Sequence, residues 1–183
     1  MTPFGAKVAA LPGLLNEPAT LAKGLWYTAR NAMAGLSIRS GVAAVAVQGR
    51  DRVEALVWRD AKGREHRVAC DAVGASFGLR SEAQLADLAK LDFVFEPVTR
   101  QWIPRRDPAG RSSRADVYLA GDGAGIGGAD AAELQGARAA LALLEDIGRP
   151  VEAARVAALD ARLARQARFR TALERAYPFP AHL

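Results

Sequence analysis

Gly121 and Asp122 stand where chemistry could follow. They end the apolar run Val117-Tyr118-Leu119-Ala120 and precede Gly123-Ala124-Gly125-Ile126-Gly127-Gly128. A buried strand that delivers the chain to an acidic residue, with a glycine-rich turn opening a helix after it, makes a place for a ligand. Gly121 lets the backbone approach it, Asp122 can accept hydrogen bonds from hydroxyls, and the unpaired amides of a helix start favour anionic oxygens. The competing reading is structural, because an aspartate between glycines after a strand also serves as a turn residue or a helix cap. An isolated Gly-Asp pair would be read that way, and the longer string raises the ligand reading above it.

Other reactive side chains have weaker contexts. His66 alternates with strand residues and reads as a surface or sheet-edge side chain, and His182 sits near the chain terminus. With Cys70 as the single cysteine and two histidines, there is no zinc or iron-sulfur ligand set and no internal disulfide. Cys70 reads as a small buried apolar residue rather than a redox thiol. Trp102 is expected in the core, with a role over a pocket as the alternative. Glu133 and Gln135 could reach a cofactor or partner, against a default of solvated helix face. No side chain is singled out as a catalytic base.

The elements that must position the Gly-Asp turn follow from periodicity. A helix is expected over about Asn16 to Ala34, with Leu21, Leu25 and Ala32 near one face that should dock on a sheet, and Gly35 as its C-terminal cap. Short strands are expected at Leu36 to Arg39, Val42 to Val47, Arg52 to Trp58 and Glu65 to Cys70, with Asp60-Ala61-Lys62-Gly63 as a hairpin turn. Asp71 to Ser76 reads as a small-residue strand covered on both faces, broken by Phe77-Gly78-Leu79-Arg80. Ser81 and Gln84 have the spacing of a capping box for a short helix. Phe93 to Ile103 should be extended, limited by Pro97 and Pro104, and Pro104 to Ser113 should be a polar loop. Helices are expected from about Gly127 to Glu145 and Val151 to Ala176. In the second, Val156, Leu159, Leu163, Ala167 and Leu173 form one stripe, Phe169 and Tyr177 anchor it to the sheet, and Pro178 and Pro180 stop it.

With 183 residues and a hydrophobic fraction of 50%, the chain can bury one ordinary core or two small ones without disulfides or a metal. From Arg149 onward, seven arginines stand against Glu152, Asp160 and Glu174, so this tail holds about +4 of the net +5. That distribution argues against a nucleic-acid stripe over the whole protein. The arginines at 155, 162, 165, 168, 170 and 175 could form a local patch for RNA or an acidic partner, but they read first as a solvated helix face. No apolar run is long enough to cross a bilayer and the start lacks the pattern of an export signal, so a cytoplasmic protein is the simpler expectation.

The stretch from Ser112 to Asp122 resembles the second FAD motif of flavoproteins with two dinucleotide-binding domains, where a Ser or Thr, a short spacer and an apolar strand end on Gly-Asp. Ser112 matches the hydroxyl position, Val117 to Ala120 the strand and Gly121-Asp122 the terminal pair; Ala131 to Gly136 and Ala139-Ala140 look like the helix that follows. The chain is more specifically similar to the flavin subunits of opine oxidase, hydroxyproline dehydrogenase and hydrogen cyanide synthase. That similarity runs through Cys70-Asp71-Ala72-Val73, Gly78-Leu79-Arg80-Ser81, Leu85-Ala86-Asp87-Leu88 and Arg100-Gln101-Trp102-Ile103-Pro104, within a span from about Gly13 to Tyr177.

The resemblance implies an α/β fold: an incomplete FAD/NAD(P)-binding, Rossmann-like arrangement with β-meander elements and a C-terminal helical segment. It implies a remnant of an NAD(P)-type domain over 1–70, the closing part of an FAD domain over 71–148, and a helix and tail over 149–183. It further implies that Ser112, Gly121, Asp122, Gly123 and Ala124 contact FAD, with Asp122 on a ribityl hydroxyl and the amides near Gly123 and Ala124 toward the flavin or its phosphates. The implied activity of the complete enzyme is dehydrogenation or oxidation of amino acids or opines, with hydride transfer to the flavin.

Such proteins open with a strand, a Gly-x-Gly-x-x-Gly turn and a helix for the ADP half of FAD. Nothing near Met1 has that form, and Gly123-x-Gly125-x-x-Gly128 fits the letters but follows the Gly-Asp pair. The chain is therefore expected to be a fragment or partial subunit whose own FAD occupancy is in doubt. Uncovered sheet edges would seek a second copy or a partner subunit. The alternative is a non-enzymatic binding or assembly module that keeps the fold remnant without the cofactor.

Overall fold

The computed structural model describes residues 4–76 and 78–178. Pro180 and His182 lie outside them, as does Phe77. The chain divides into two compact units, one over 24–78 and the other combining the N-terminal residues through Lys23 with the chain from Leu79 onward. Helix α2 (Pro18–Met33) runs across the first division.

The 24–78 unit is built on a three-stranded antiparallel meander of β1 (Ala43–Gln48), β2 (Ala55–Arg59) and β3 (Glu65–Ala69), in the order β1-β2-β3. Alternation along β2 buries Ala55 and Val57 and leaves Leu56 and Trp58 half-buried, as the period of two requires. Cross-strand pairs hold the register. Trp58 faces His66 with rings stacked at 4.2 Å, and Arg59 forms a 2.7 Å ion pair with Glu65 opposite it. The expected turn between β2 and β3 is present: Asp60 Oδ1 accepts the amides of Lys62 (2.9 Å) and Arg64 (3.0 Å), and Gly63 takes φ +80°. That left-handed value is one that a side chain would resist.

Three expectations for this unit are corrected. Leu36 to Arg39 form no strand; Leu36 and Ile38 are largely exposed, with no neighbouring strand to take their backbone bonds. Asp71 to Ser76 are likewise not a strand and are mostly exposed, since alanine and glycine bring too little apolar area to hold a place between two layers. Helix α2 forms where expected, and it closes through Gly35 N–H to Ala32 O (3.1 Å) and Leu36 N–H to Asn31 O (3.1 Å). Its apolar face does not dock, because none of its residues is buried and Leu25 and Trp26 stay open to water.

The second unit centres on helix α5 (Ala153–Ala176), which packs mainly on α1 (Phe4–Leu14) and α4 (Ala129–Asp146). α1 was not foreseen, since Pro12 interrupts its pattern. Small residues let it come close to α5: Ala10, Ala172 and Ala176 form a buried cluster, and a Cβ on Gly13 would collide with that of Ala172. The inward stripe of α5 runs through Val156, Leu159, Leu163, Phe169 and Leu173, near the expected one, although Ala167 is exposed. Its principal neighbours are helices. Phe169 is half-buried and Tyr177 is 64% exposed.

The stretch expected to be extended folds instead as a hairpin of β4 (Phe93–Glu96) and β5 (Gln101–Pro104), turning at Pro97 to Arg100. Trp102 points outward from it at 62% exposure, in a T-shaped ring contact with Phe95, so it is not a core residue; Gln101 and Pro104 are buried instead. The capping box before α3 (Gln84–Leu88) is absent. The Glu82 carboxylate takes the Gln84 amide (3.0 Å), while the Ser81 amide donates to Oε1 of the buried Gln101 side chain (2.9 Å). Both sheets among the described residues are antiparallel, giving a mixed α/β chain with the expected meander and C-terminal helix.

Candidate functional site

The segment Val117 to Ala120 delivers the chain to Gly121 as expected, but not as a strand. Its backbone bonds return to the loop just before it: Ser112 N–H to Val117 O (3.0 Å) and Leu119 N–H to Gly110 O (2.7 Å), with single bridges at Arg111–Tyr118 and Arg106–Ser112. Only one edge is paired, and regular ladder geometry is not reached. The loop is shaped by Asp107, whose Oδ1 accepts the Arg111 amide (2.8 Å), and by Gly110 at φ +92°, where a Cβ would stand 2.8 Å from Leu119 O.

Arg111 clamps this loop to the end of α4. Its guanidinium reaches Asp146 through Nε (2.8 Å) and Glu145 through Nη2 (2.8 Å), and it donates to Ala142 O (3.3 Å). A cation at a helix C-terminus also suits the dipole there. Tyr118 donates its hydroxyl to the same Asp146 (2.6 Å). The Arg111 guanidinium, with the Tyr118 hydroxyl, holds the Asp146 carboxyl down at about 2. The Asp146 carboxylate in turn pushes Tyr118 up and, together with Glu145, raises Arg111 further. Arg138, buried on α4, continues the network to Asp160 of α5 (2.9 Å).

After Ala120 the chain makes one 3-10 turn, Gly121–Ala124, and then enters α4 at Ala129. Gly121 turns at φ +71° and donates its N–H to Gln135 Oε1 (2.8 Å), so a side chain of α4 pins the start of the turn. Asp122 is exposed, its carboxylate makes no hydrogen bond or ion pair among the described residues, and its carbonyl accepts the Gly125 amide (3.3 Å). Gly123 lies against the segment before α3, where a Cβ would be 3.0 Å from Glu82 O; Ala124 is buried. α4 opens at Gly128 with no side-chain cap, which leaves first-turn amides without an intrahelical acceptor. A cavity of about 280 Å³ borders the turn, lined by Glu82, Ala86 and Leu91 on one side and Val117 to Ala120 and Gly123 on the other.

Of the five residues expected to hold a ligand, Gly121, Asp122, Gly123 and Ala124 come together in that turn. Ser112 lies apart: its hydroxyl accepts the Arg114 amide and donates to the Arg114 carbonyl (3.1 Å each), shaping the preceding loop. Gln135, Arg111, Tyr118 and Asp146 were missed as positioning residues. Their partners lie 14 to 35 residues away in sequence, and local spacing holds no signal of that. His66 is half-buried on β3, with Nε2 3.1 Å from Asp60 Oδ2. Cys70 is half-buried and free. No group of three metal-ligating side chains occurs among the described residues, and no helix there is long and apolar enough to cross a membrane.

No protein-family profile matches the chain. It is 38% identical over 109 residues to an opine oxidase subunit of Rhizobium meliloti, covering 60% of this chain and 20% of that protein. It is 33% identical over 150 residues to an opine oxidase subunit of Agrobacterium tumefaciens strain Ach5, covering 80% and 29%. It is 29% identical over 148 residues to hydrogen cyanide synthase subunit HcnB of Pseudomonas protegens, covering 74% and 30%. The chain thus spans less than a third of the length of these relatives. Over that span it is a homologue of these opine oxidase and hydrogen cyanide synthase proteins, the group that its residues from Cys70 to Asp122 resemble.

Proposed function

We propose that the turn Gly121–Ala124 is the part of an FAD site that meets the ribityl chain, within a flavoprotein oxidoreductase acting on amino acids or opines. The carrying observation is the Asp122 carboxylate, which has no partner among the described residues and stands on a turn that Gln135 holds in place. With no protein donor on it, the full acceptor capacity of this carboxylate is open to a polyol. The fit is to part of the cofactor, since about 280 Å³ lies below the ~300–1,000 Å³ of sites that enclose a drug-sized ligand.

Asp122 would accept from a ribityl hydroxyl. The amides of Gly123 and Ala124, with the uncapped start of α4, would face anionic oxygens. The Gly121 amide is held by Gln135 and contributes geometry, while Ser112 shapes the loop that leads to the turn. When bound, the flavin supplies the acceptor for a hydride equivalent, and the protein supplies position and electrostatics.

On this reading the fold descends from an FAD/NAD(P)-binding, Rossmann-like ancestor, with 1–70 from the NAD(P)-type domain, 71–148 from the FAD domain and 149–183 as the helical end. A partner subunit would cover the open apolar residues of the meander, among them Val45, Val47 and Val68. The names of the relatives, as subunits, support that reading.

The test is FAD titration of the chain followed by the backbone amide resonances of Gly121 to Gly125. Saturable shifts at these amides are expected, with binding weakened about tenfold or more in Asp122→Ala, as for loss of a charge-assisted hydrogen bond. The same affinity in wild type and variant, or no shift at millimolar FAD, would reject the assignment.

A further inference from the structure

A second concavity, of about 590 Å³, lies between the turn at Arg106 to Pro108, Gln135 of α4 and the side of α5 that carries Asp160, Leu163, Ala164 and Ala167, and Asp122 does not line it. Its polar groups are unbalanced. Of the two carboxylates on its wall, Asp160 is taken by Arg138 Nε (2.9 Å), and Asp107 is taken by the Arg111 amide (2.8 Å) and guanidinium (3.5 Å). Gln135 has committed its carbonyl to Gly121 (2.8 Å), which leaves its amide group as a donor.

Arg106 remains. It is half-buried and lines the concavity, and its guanidinium makes no hydrogen bond or ion pair with any described residue. Burial pushes this guanidinium below the usual arginine value, opposed by the charge of Asp107, yet an arginine stays protonated at neutral pH. A guanidinium withdrawn from water without an acceptor is costly, and an oxyanion with two oxygens in one plane matches its fork of donors. Leu163, Ala164 and Ala167 give the floor an apolar surface.

We propose that this concavity binds a small organic carboxylate with an apolar body, its carboxylate on Arg106 and its hydrocarbon along the α5 floor. One guanidinium balances one charge, and the floor favours hydrocarbon over a second anionic group. The proposal stands apart from the flavin reading, which concerns the Gly121–Ala124 turn.

The experiment is calorimetric titration of the 183-residue chain with octanoate, octanamide and inorganic phosphate. Octanoate should bind saturably, with octanamide and phosphate each at least about tenfold weaker. Arg106→Gln should weaken octanoate about tenfold or more, Arg106→Lys less, and Asp122→Ala not at all. Equal binding of octanoate and octanamide, full binding by Arg106→Gln, no octanoate binding, or loss of binding in Asp122→Ala overturns the proposal. Should Arg106→Gln fail to fold by circular dichroism, Ala164→Leu decides the matter, because it fills the floor and leaves the charge. Weakened octanoate binding supports the site, and unchanged affinity overturns it.

Discussion

The β1-β2-β3 meander and the loop-and-turn region from Pro104 to Asp146 are held together by different means. In the meander the decisive contacts are between near neighbours: Asp60 with the amides of Lys62 and Arg64, Trp58 on His66, Arg59 with Glu65. In the second region they span long separations and are polar, with Arg111 reaching Glu145 and Asp146, Tyr118 reaching Asp146 and Gln135 reaching Gly121. A meander needs only alternation and a good turn. A segment with one paired edge needs clamps from elsewhere in the chain, and the candidate site sits in that clamped region.

Two glycines give the largest expected contrast between the regions. Gly110→Ala meets Leu119 O at 2.8 Å and a φ of +92° at once. It should cost about 2–4 kcal/mol in denaturant unfolding of the loop-and-turn unit. Gly63→Ala has open space around it and only the φ of +80° against it, so about 1 kcal/mol is expected, confined to the meander. Equal costs for the two variants would mean that packing around Leu119 is looser than the distances imply.

The smallest expected effect is the acid response. Asp146 and Asp60 both have carboxyls below the usual range, Asp146 through Arg111 and Tyr118, and Asp60 through the hydrogen bond from His66 and then the Arg64 amide. For a lowered carboxyl, the stabilisation is full above the unfolded value, about 4, and is lost as pH falls through the folded one. Melting followed by residue-resolved NMR should therefore show both regions weakening below about pH 4, for Asp146 over the window down to about 2. Asp146→Asn should flatten that response around Tyr118, and Asp60→Asn should flatten it in the meander alone. A single common response, altered equally by either variant, would show that the two regions do not titrate independently.

Much of the first region was legible from residue order. Asp60 to Gly63 has the composition of a tight turn, and the strands on either side carry the alternation that such a turn joins. Helices α4 and α5 were legible for a similar reason, since their length makes the period of 3.6 plain. Val117 to Ala120 shows the limit. Its apolar run reads as a strand, yet a strand exists only if both edges or one long edge find partners, and here the partner is a short loop. The small-residue run at Asp71 to Ser76 fails likewise.

By itself the sequence determined the kinship of the chain, the Gly-Asp turn ahead of a helix, the meander with its hairpin and the extent of the long helices. These rest on local chemistry and on residue types in fixed order. Only the tertiary structure decided that Gln135 rather than a ligand takes the Gly121 amide and that Trp102 faces water. It also decided that, among the described residues, the Asp122 carboxylate is left free and Arg106 sits in a concavity without an acceptor. Each of these depends on which distant polar group arrives first at a donor or acceptor. Folding settles that by three-dimensional proximity, which residue spacing does not encode.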